Sequence, residues 1–128
     1  MQGMELSPLS AAGRQVIHSY GDGGFRVSGR RHDGSILVFP TGTLAWSIIA
    51  AETISIDCLA QMSAAMPRVE ILLLGTGRRI LTVPPEVLRH YRDAGFAIDV
   101  MDTGAACRTF NLLAAEDRRV AAALIAVD

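Results

Sequence analysis

The stretch VEILLLGTGRR, residues 69–79, passes from branched apolar residues into Gly75-Thr76-Gly77 and then two arginines. A short run that is apolar on both faces reads as a strand buried from both sides, as in a parallel sheet covered by helices. Glycine at its end lets the chain turn sharply and lets backbone N–H groups approach a ligand closely. The crevice beyond the carboxyl ends of parallel strands is where open α/β sheets hold their ligands. The stretch therefore predicts an α/β fold and poses a question: is this turn a cradle for an anion, or only a corner?

Toward higher residue numbers, Pro84 and Pro85 open a helix over 84–94, PPEVLRHYRDA. Val87, Leu88 and Tyr91 form its apolar side, Glu86 suits the N-terminal dipole and Gly95 follows as the C-cap. FAIDVM (96–101) reads as a strand, GAACRTFNLLAAED (104–117) as a helix and RVAAALIAV (119–127) as a last strand. Strand alternating with helix predicts parallel pairing and right-handed crossovers.

Toward lower numbers, RQVIHSY (14–20), FRVSGRR (25–31) and SILVFP (35–40) are three strands separated by the turns GDGG and HDG. SILVF is apolar on both faces and reads as central. WSIIAA (46–51) is a fourth strand, and Ser55 caps a helix over 56–66 that stops before Pro67. Residues 1–13 read as a loose N-terminal arm and 14–128 as one domain. The whole predicts a single compact α/β domain. Its mixed sheet has an antiparallel β-meander front end, which extends the sheet or packs as a second layer, and a parallel β-α-β second half flanked by helices.

Composition narrows the chemistry. Half of the 128 residues are apolar and the mean hydropathy is positive. The excess goes either to an alanine-rich core or to a partner or subunit surface, so a homo-oligomer stays open. All twelve basic side chains are arginine, which excludes a Schiff-base lysine and a P-loop lysine. The formal net charge is −1, and the doublets Arg30-Arg31, Arg78-Arg79 and Arg118-Arg119 lack interleaved aromatics, so nucleic acid is not expected. Cys58 and Cys107 lie far apart with His18, His32 and His90 near neither. That leaves no zinc spacing and no disulfide framework, and calls for no cofactor. The opening MQGMELSPLS has neither a secretion signal's layout nor an arginine-rich presequence, and no apolar run reaches membrane-span length. The expectation is a cytoplasmic protein without a membrane span.

If the strands before Gly75-Thr76-Gly77 and Met101-Asp102-Thr103 are neighbours, both loops face one crevice. Arg78 or Arg79 would grip an anion there, Thr103 would cap the following helix, and Arg108 in its early turns would point at the same spot. GTGRRI lacks the third glycine of a dinucleotide fingerprint, and no helix follows at once. Both the corner and the cradle stay open. Cys107, beside Arg108 near a helix start, is a candidate nucleophile if its thiol is acidified. Its helical spacing with Phe110 and Ala114 equally turns it toward the core. His90, between Arg89 and Arg92, reads as a surface residue, and Asp99 alternates away from Asp102.

VEILLLGTGRR together with GFAIDVMDTGAACRTFNLLAAEDRRVAAALI, residues 95–125, resembles a small α/β domain family of long-unknown function. That family includes the mitochondrial complex I assembly factor 3 proteins. The most specific motif, MDT-x-AACRT-[FY]-N-x-L, is matched from Met101 to Leu113, and GFRVSG and GSILVFP fit the family's front end. The resemblance implies one compact α/β domain around a mixed sheet. It also implies a non-catalytic assembly role through partner proteins, which in mitochondrial members act at the inner membrane. Lacking a presequence, this member reads as bacterial. Carried over by position, Gly75, Thr76, Gly77, Asp102, Thr103, Thr109 and Asn111 are motif residues without a catalytic role. The candidate crevice for a partner or an anion is thus Gly75, Thr76, Gly77, Arg78, Asp102, Thr103, Arg108 and Asn111, with respiratory-complex subunits as the implied partners. The alternative is a small-anion binder or enzyme at the same crevice, with Cys107 as nucleophile.

Overall fold

A computed structural model describes residues 14–128; the expected arm, residues 1–13, lies outside the described residues. The segment that decided the fold is a strand, β6 (Ile71–Gly75), inside a five-stranded sheet of order β5-β4-β8-β6-β7. Its neighbours β7 (Ala97–Met101) and β8 (Val120–Leu124) both run parallel to it. On the far side of β8, β4 (Ile36–Phe39) and then β5 (Gly42–Ala45) continue the sheet in antiparallel register. Mixed pairing in one sheet is what the alternating second half and the hairpin-rich front end require.

The all-apolar strands are explained by two cores, one on each face. Leu37, Phe39, Leu72, Leu74, Ala121 and Ala123 point to one side. Ile36, Val38, Leu73, Val120, Ala122 and Leu124 point to the other. The first core is closed by α2 (Pro85–Asp93), through Val87 and Tyr91, and by the irregular segment that holds Ile54, Leu59 and Met62. The second is closed by α3 (Thr103–Ala115), through Ala106, Cys107, Phe110 and Ala114, and by a separate small sheet. That sheet is the meander β1 (Ile17–Gly21), β2 (Gly24–Val27) and β3 (Arg30–Asp33), which buries Ile17, Phe25 and Val27. Of the two placements expected for the front end, both occur: β1–β3 form a second layer, and β4–β5 extend the main sheet.

Three local expectations are corrected. FRVSGRR is not one strand but a hairpin. Ser28 (φ 49°) and Gly29 (φ 82°) make a two-residue turn of the kind that matches strand twist, as do Asp22 and Gly23 one hairpin earlier. The strand that follows SILVFP is β5, Gly42–Ala45, and not WSIIAA. Trp46 adds one more ladder bond, from its N–H to the Ser35 carbonyl (2.9 Å), and then leaves. Its indole N–H bonds the Cys58 carbonyl (3.0 Å) and Ile49 is exposed, so this apolar run packs by its aromatic ring rather than by pairing. The helix over 56–66 shrinks to a 3-10 turn, Asp57–Leu59, running into α1 (Ala60–Ala64). Ser55 does accept a hydrogen bond from the Cys58 N–H (3.2 Å), but the cap position of the turn is Ile56 and that of α1 is Leu59, so neither the expected cap nor the expected length holds.

Candidate functional site

The carboxyl ends of β6, β7 and β8 meet at the glycine corner, and they are bolted together there. Gly77 lies at φ 111°, which favours glycine. Its N–H donates to the Thr103 hydroxyl (2.9 Å), and the Thr103 N–H donates back to the Gly77 carbonyl (2.8 Å). The same Thr103 hydroxyl donates to the Ile125 carbonyl (2.7 Å), while the Ile125 N–H donates to the Gly75 carbonyl (2.9 Å). The Thr76 N–H bonds the Met101 carbonyl (3.0 Å). The Thr76 hydroxyl closes the following loop on itself, donating to the Arg79 carbonyl (2.7 Å) and accepting from the Leu81 N–H (3.0 Å). Thr76 and Thr103 are buried, and in such a place every polar group needs a partner. These groups have found one another.

Gly75 is required by packing. A Cβ there would stand 3.0 Å from both the Thr103 Cα and the Leu124 side chain. The helix cap falls one residue earlier than expected: Asp102, not Thr103, accepts the Ala105 N–H (2.8 Å), which leaves Thr103 free to act as the bolt. Both residue types cap helices well, so sequence alone did not separate the two roles.

Above the bolts lies a cleft of about 270 Å³, lined by Gly77, Arg78, Asp102 and Gly104 together with Tyr20, Gly21, Val127 and Asp128. Of the expected crevice residues it gathers Gly77, Arg78 and Asp102; Gly75, Thr76 and Thr103 form the floor beneath. Arg108 is exposed one turn along α3, its guanidinium beside Gly104. Asn111 belongs to a different contact. Its side-chain amide accepts from the Ile17 N–H (2.8 Å) and donates to the Ile17 carbonyl (2.8 Å), acting as a substitute strand along β1. Tyr20 was missed, since nothing local in RQVIHSY marks a residue that will meet α3. Its hydroxyl covers Gly104 so closely that a Cβ there would come within 2.4 Å.

Cys107 is buried in the second core, and burial pushes its thiol up to about 12, outweighing the neighbouring Arg108, with Asp102 adding to the rise. A thiol held there carries negligible thiolate near neutral pH. The nucleophile reading fails on this geometry, and the helical spacing with Phe110 and Ala114 was the correct guide. His90 is exposed, as expected. Among the described residues, no helix is long and apolar enough to cross a membrane.

A buried hydroxyl tying three parallel strand ends beneath a small-residue helix start defines a compact α/β domain with a closed corner. A family model described as "Protein of unknown function (DUF498/DUF598)" matches residues 17–125, and the chain belongs to that family. It is similar to the NADH dehydrogenase [ubiquinone] 1 alpha subcomplex assembly factor 3 of Danio rerio, 39% identical over 95% of this chain and 70% of that protein. It is also similar to the protein of that name in Homo sapiens, 36% identical over 95% of this chain and 66% of that protein. The chain thus spans about two thirds of the length of these relatives. An uncharacterized protein of Rhodobacter capsulatus is 33% identical over 89% of this chain and 86% of its own length. Among solved structures, a protein of Bartonella henselae described as an outer membrane protein is 40% identical with a TM-score of 0.82, covering 91% of this chain and 98% of that one. A Bordetella pertussis protein described as a Mth938-like domain is 29% identical with a TM-score of 0.78, covering 98% and 92%.

Proposed function

We propose that the chain is a non-catalytic interaction protein that helps to assemble a larger complex, and that it docks through the rim of the glycine corner. The rim comprises Arg78, the exposed Ile80 and Leu81, and Asp102, with Arg108 flanking it. Gly75, Thr76, Gly77 and Thr103 hold that rim in place, and Asn111 holds β1 against α3. The observation that carries the reading is the state of the corner. The Thr76, Gly77 and Thr103 amides and the Thr76 and Thr103 hydroxyls are all spent on bonds within the fold, whereas Ile80 and Leu81 beside them face outward. Exposed apolar side chains next to a rigid polar floor suit a protein partner better than a reaction. Relatives named as complex I assembly factors support the choice of partner, subunits of a respiratory NADH dehydrogenase. On this reading a bacterial member meets them from the cytoplasm.

The test is affinity capture of tagged protein from gently crosslinked cells of its own source, beside a folded variant carrying Arg78→Ala, Ile80→Ser and Leu81→Ser. The reading expects respiratory-complex subunits with the wild type and their loss with the variant. Recovery of the bait alone overturns it. So does a melting temperature raised by phosphate or a small carboxylate in wild type but not in Arg78→Ala, since that marks a ligand site instead.

A further inference from the structure

The outer face of α3 is unlike that of an ordinary surface helix, which carries charge where it meets water. Between Thr103 and Ala115 the only charged residue is Arg108. The inner side of the helix is occupied by Gly104, Ala106, Cys107, Phe110 and Ala114. The outer side presents Ala105, Arg108, Thr109 and Leu112, and Glu116 follows at the C-cap. Leu112 is 60% exposed. Alongside, between α3 and β7, a groove of about 520 Å³ runs over Leu73 and Ile71, walled by Thr109, Leu113 and Asp99.

Arg108, Leu112 and Glu116 are spaced four apart and form one stripe, so the charges stand about 6 Å to either side of the leucine. That stripe is its own complement. Laid antiparallel on a second copy, with the two-fold axis beside Leu112, each Arg108 meets the other copy's Glu116 and the two Leu112 side chains meet at the centre. Ala105 and Thr109 are small enough to let the helices approach. Glu116 sits at a helix C-terminus, where its own dipole disfavours it. An antiparallel copy would supply the cation that end lacks. Arg14, Arg31 and Arg119 all have acidic partners, but among the described residues neither Arg108 nor Glu116 forms an ion pair.

We propose that the outer face of α3 is the interface of a two-fold homodimer, its occupant a second copy of this chain. A helix of thirteen residues offers less contact than a permanent interface, so the dimer forms reversibly with concentration.

Sedimentation equilibrium of the full chain from low to high micromolar concentration tests this. The wild type is expected to pass from monomer to dimer. Leu112→Glu, Arg108→Glu and Glu116→Arg should each weaken self-association at least tenfold while leaving far-UV circular dichroism unchanged, because all three side chains are exposed. An equimolar mixture of Arg108→Glu and Glu116→Arg should recover the dimer mass, since both cross-pairs are then of opposite charge. A wild type that stays monomeric throughout overturns the proposal. So does a dimer indifferent to Leu112→Glu, or a mixture that remains monomeric.

Discussion

Thr103 and Gly77 exchange two hydrogen bonds, N–H to carbonyl at 2.8 Å and N–H to hydroxyl at 2.9 Å, and the same hydroxyl reaches the Ile125 carbonyl. One threonine side chain therefore satisfies two other backbone segments at once. Thr103→Val keeps the volume and removes the hydroxyl, stranding a buried N–H and a buried carbonyl. The expected loss is about 2–4 kcal/mol in urea unfolding, while Thr103→Ser, which keeps the hydroxyl, should lose about 1 kcal/mol.

The two glycines of the corner should fail for different reasons. Gly75→Ala drives a Cβ against the Thr103 backbone and Leu124, and is expected to cost about 1–3 kcal/mol through overpacking. Gly77→Ala has open space but a φ of 111°, so about 1–2 kcal/mol of backbone strain is its whole cost. Relieving the crowding with Leu124→Val should recover part of the first loss and none of the second.

Asn111→Ala removes both bonds to Ile17, and Asn111→Asp can accept from the Ile17 N–H but sets a carboxylate against its carbonyl. Amide hydrogen exchange along β1 is expected to accelerate in both, with the aspartate variant the less stable of the two by about 1 kcal/mol.

Alkaline conditions should loosen the fold. The Cys107 thiol is held near 12 by burial, whereas an unfolded thiol titrates at about 8.5. Between those values the unfolded chain has released a proton that the native chain keeps, so stability is complete below the lower value and falls as the pH rises toward the upper one. The loss by about pH 10.5 is on the order of 2–3 kcal/mol. Tyr91, raised mainly by its burial, adds to the decline at the alkaline end. Cys107→Ala should flatten this dependence in urea midpoints measured at several pH values. For the same reason iodoacetamide should modify Cys58 well before Cys107 in the native protein, and fast native labelling of Cys107 would contradict the burial.

Legibility followed periodicity. The β6 strand, α2, β7, α3 and β8 announce themselves because apolar runs and cap residues are local signals, and all five lie close to their expected spans. The short pieces failed where tertiary packing outranked composition: TGTLA pairs though it is weakly apolar, and WSIIAA does not pair though it is strongly so. The turn at Ser28-Gly29 escaped because serine rarely accepts a positive φ. At the site, the structure brings the motif residues Gly75, Thr76, Gly77, Asp102 and Thr103 to one corner, but their bonding partners were not legible. Asn111 and Tyr20 act across distances of about ninety residues in sequence, a relation that no local pattern encodes.

The strand at the middle of the main sheet, β8, is also the last of the described strands in chain order. While a ribosome is still making the molecule, the pair β4–β5 and the pair β6–β7 have nothing between them until Val120–Leu124 emerges. Closing the sheet therefore waits for β8 to emerge, and two apolar half-sheets stay exposed until then. A message cut short before codon 120 would yield two unjoined halves, not a smaller version of the protein.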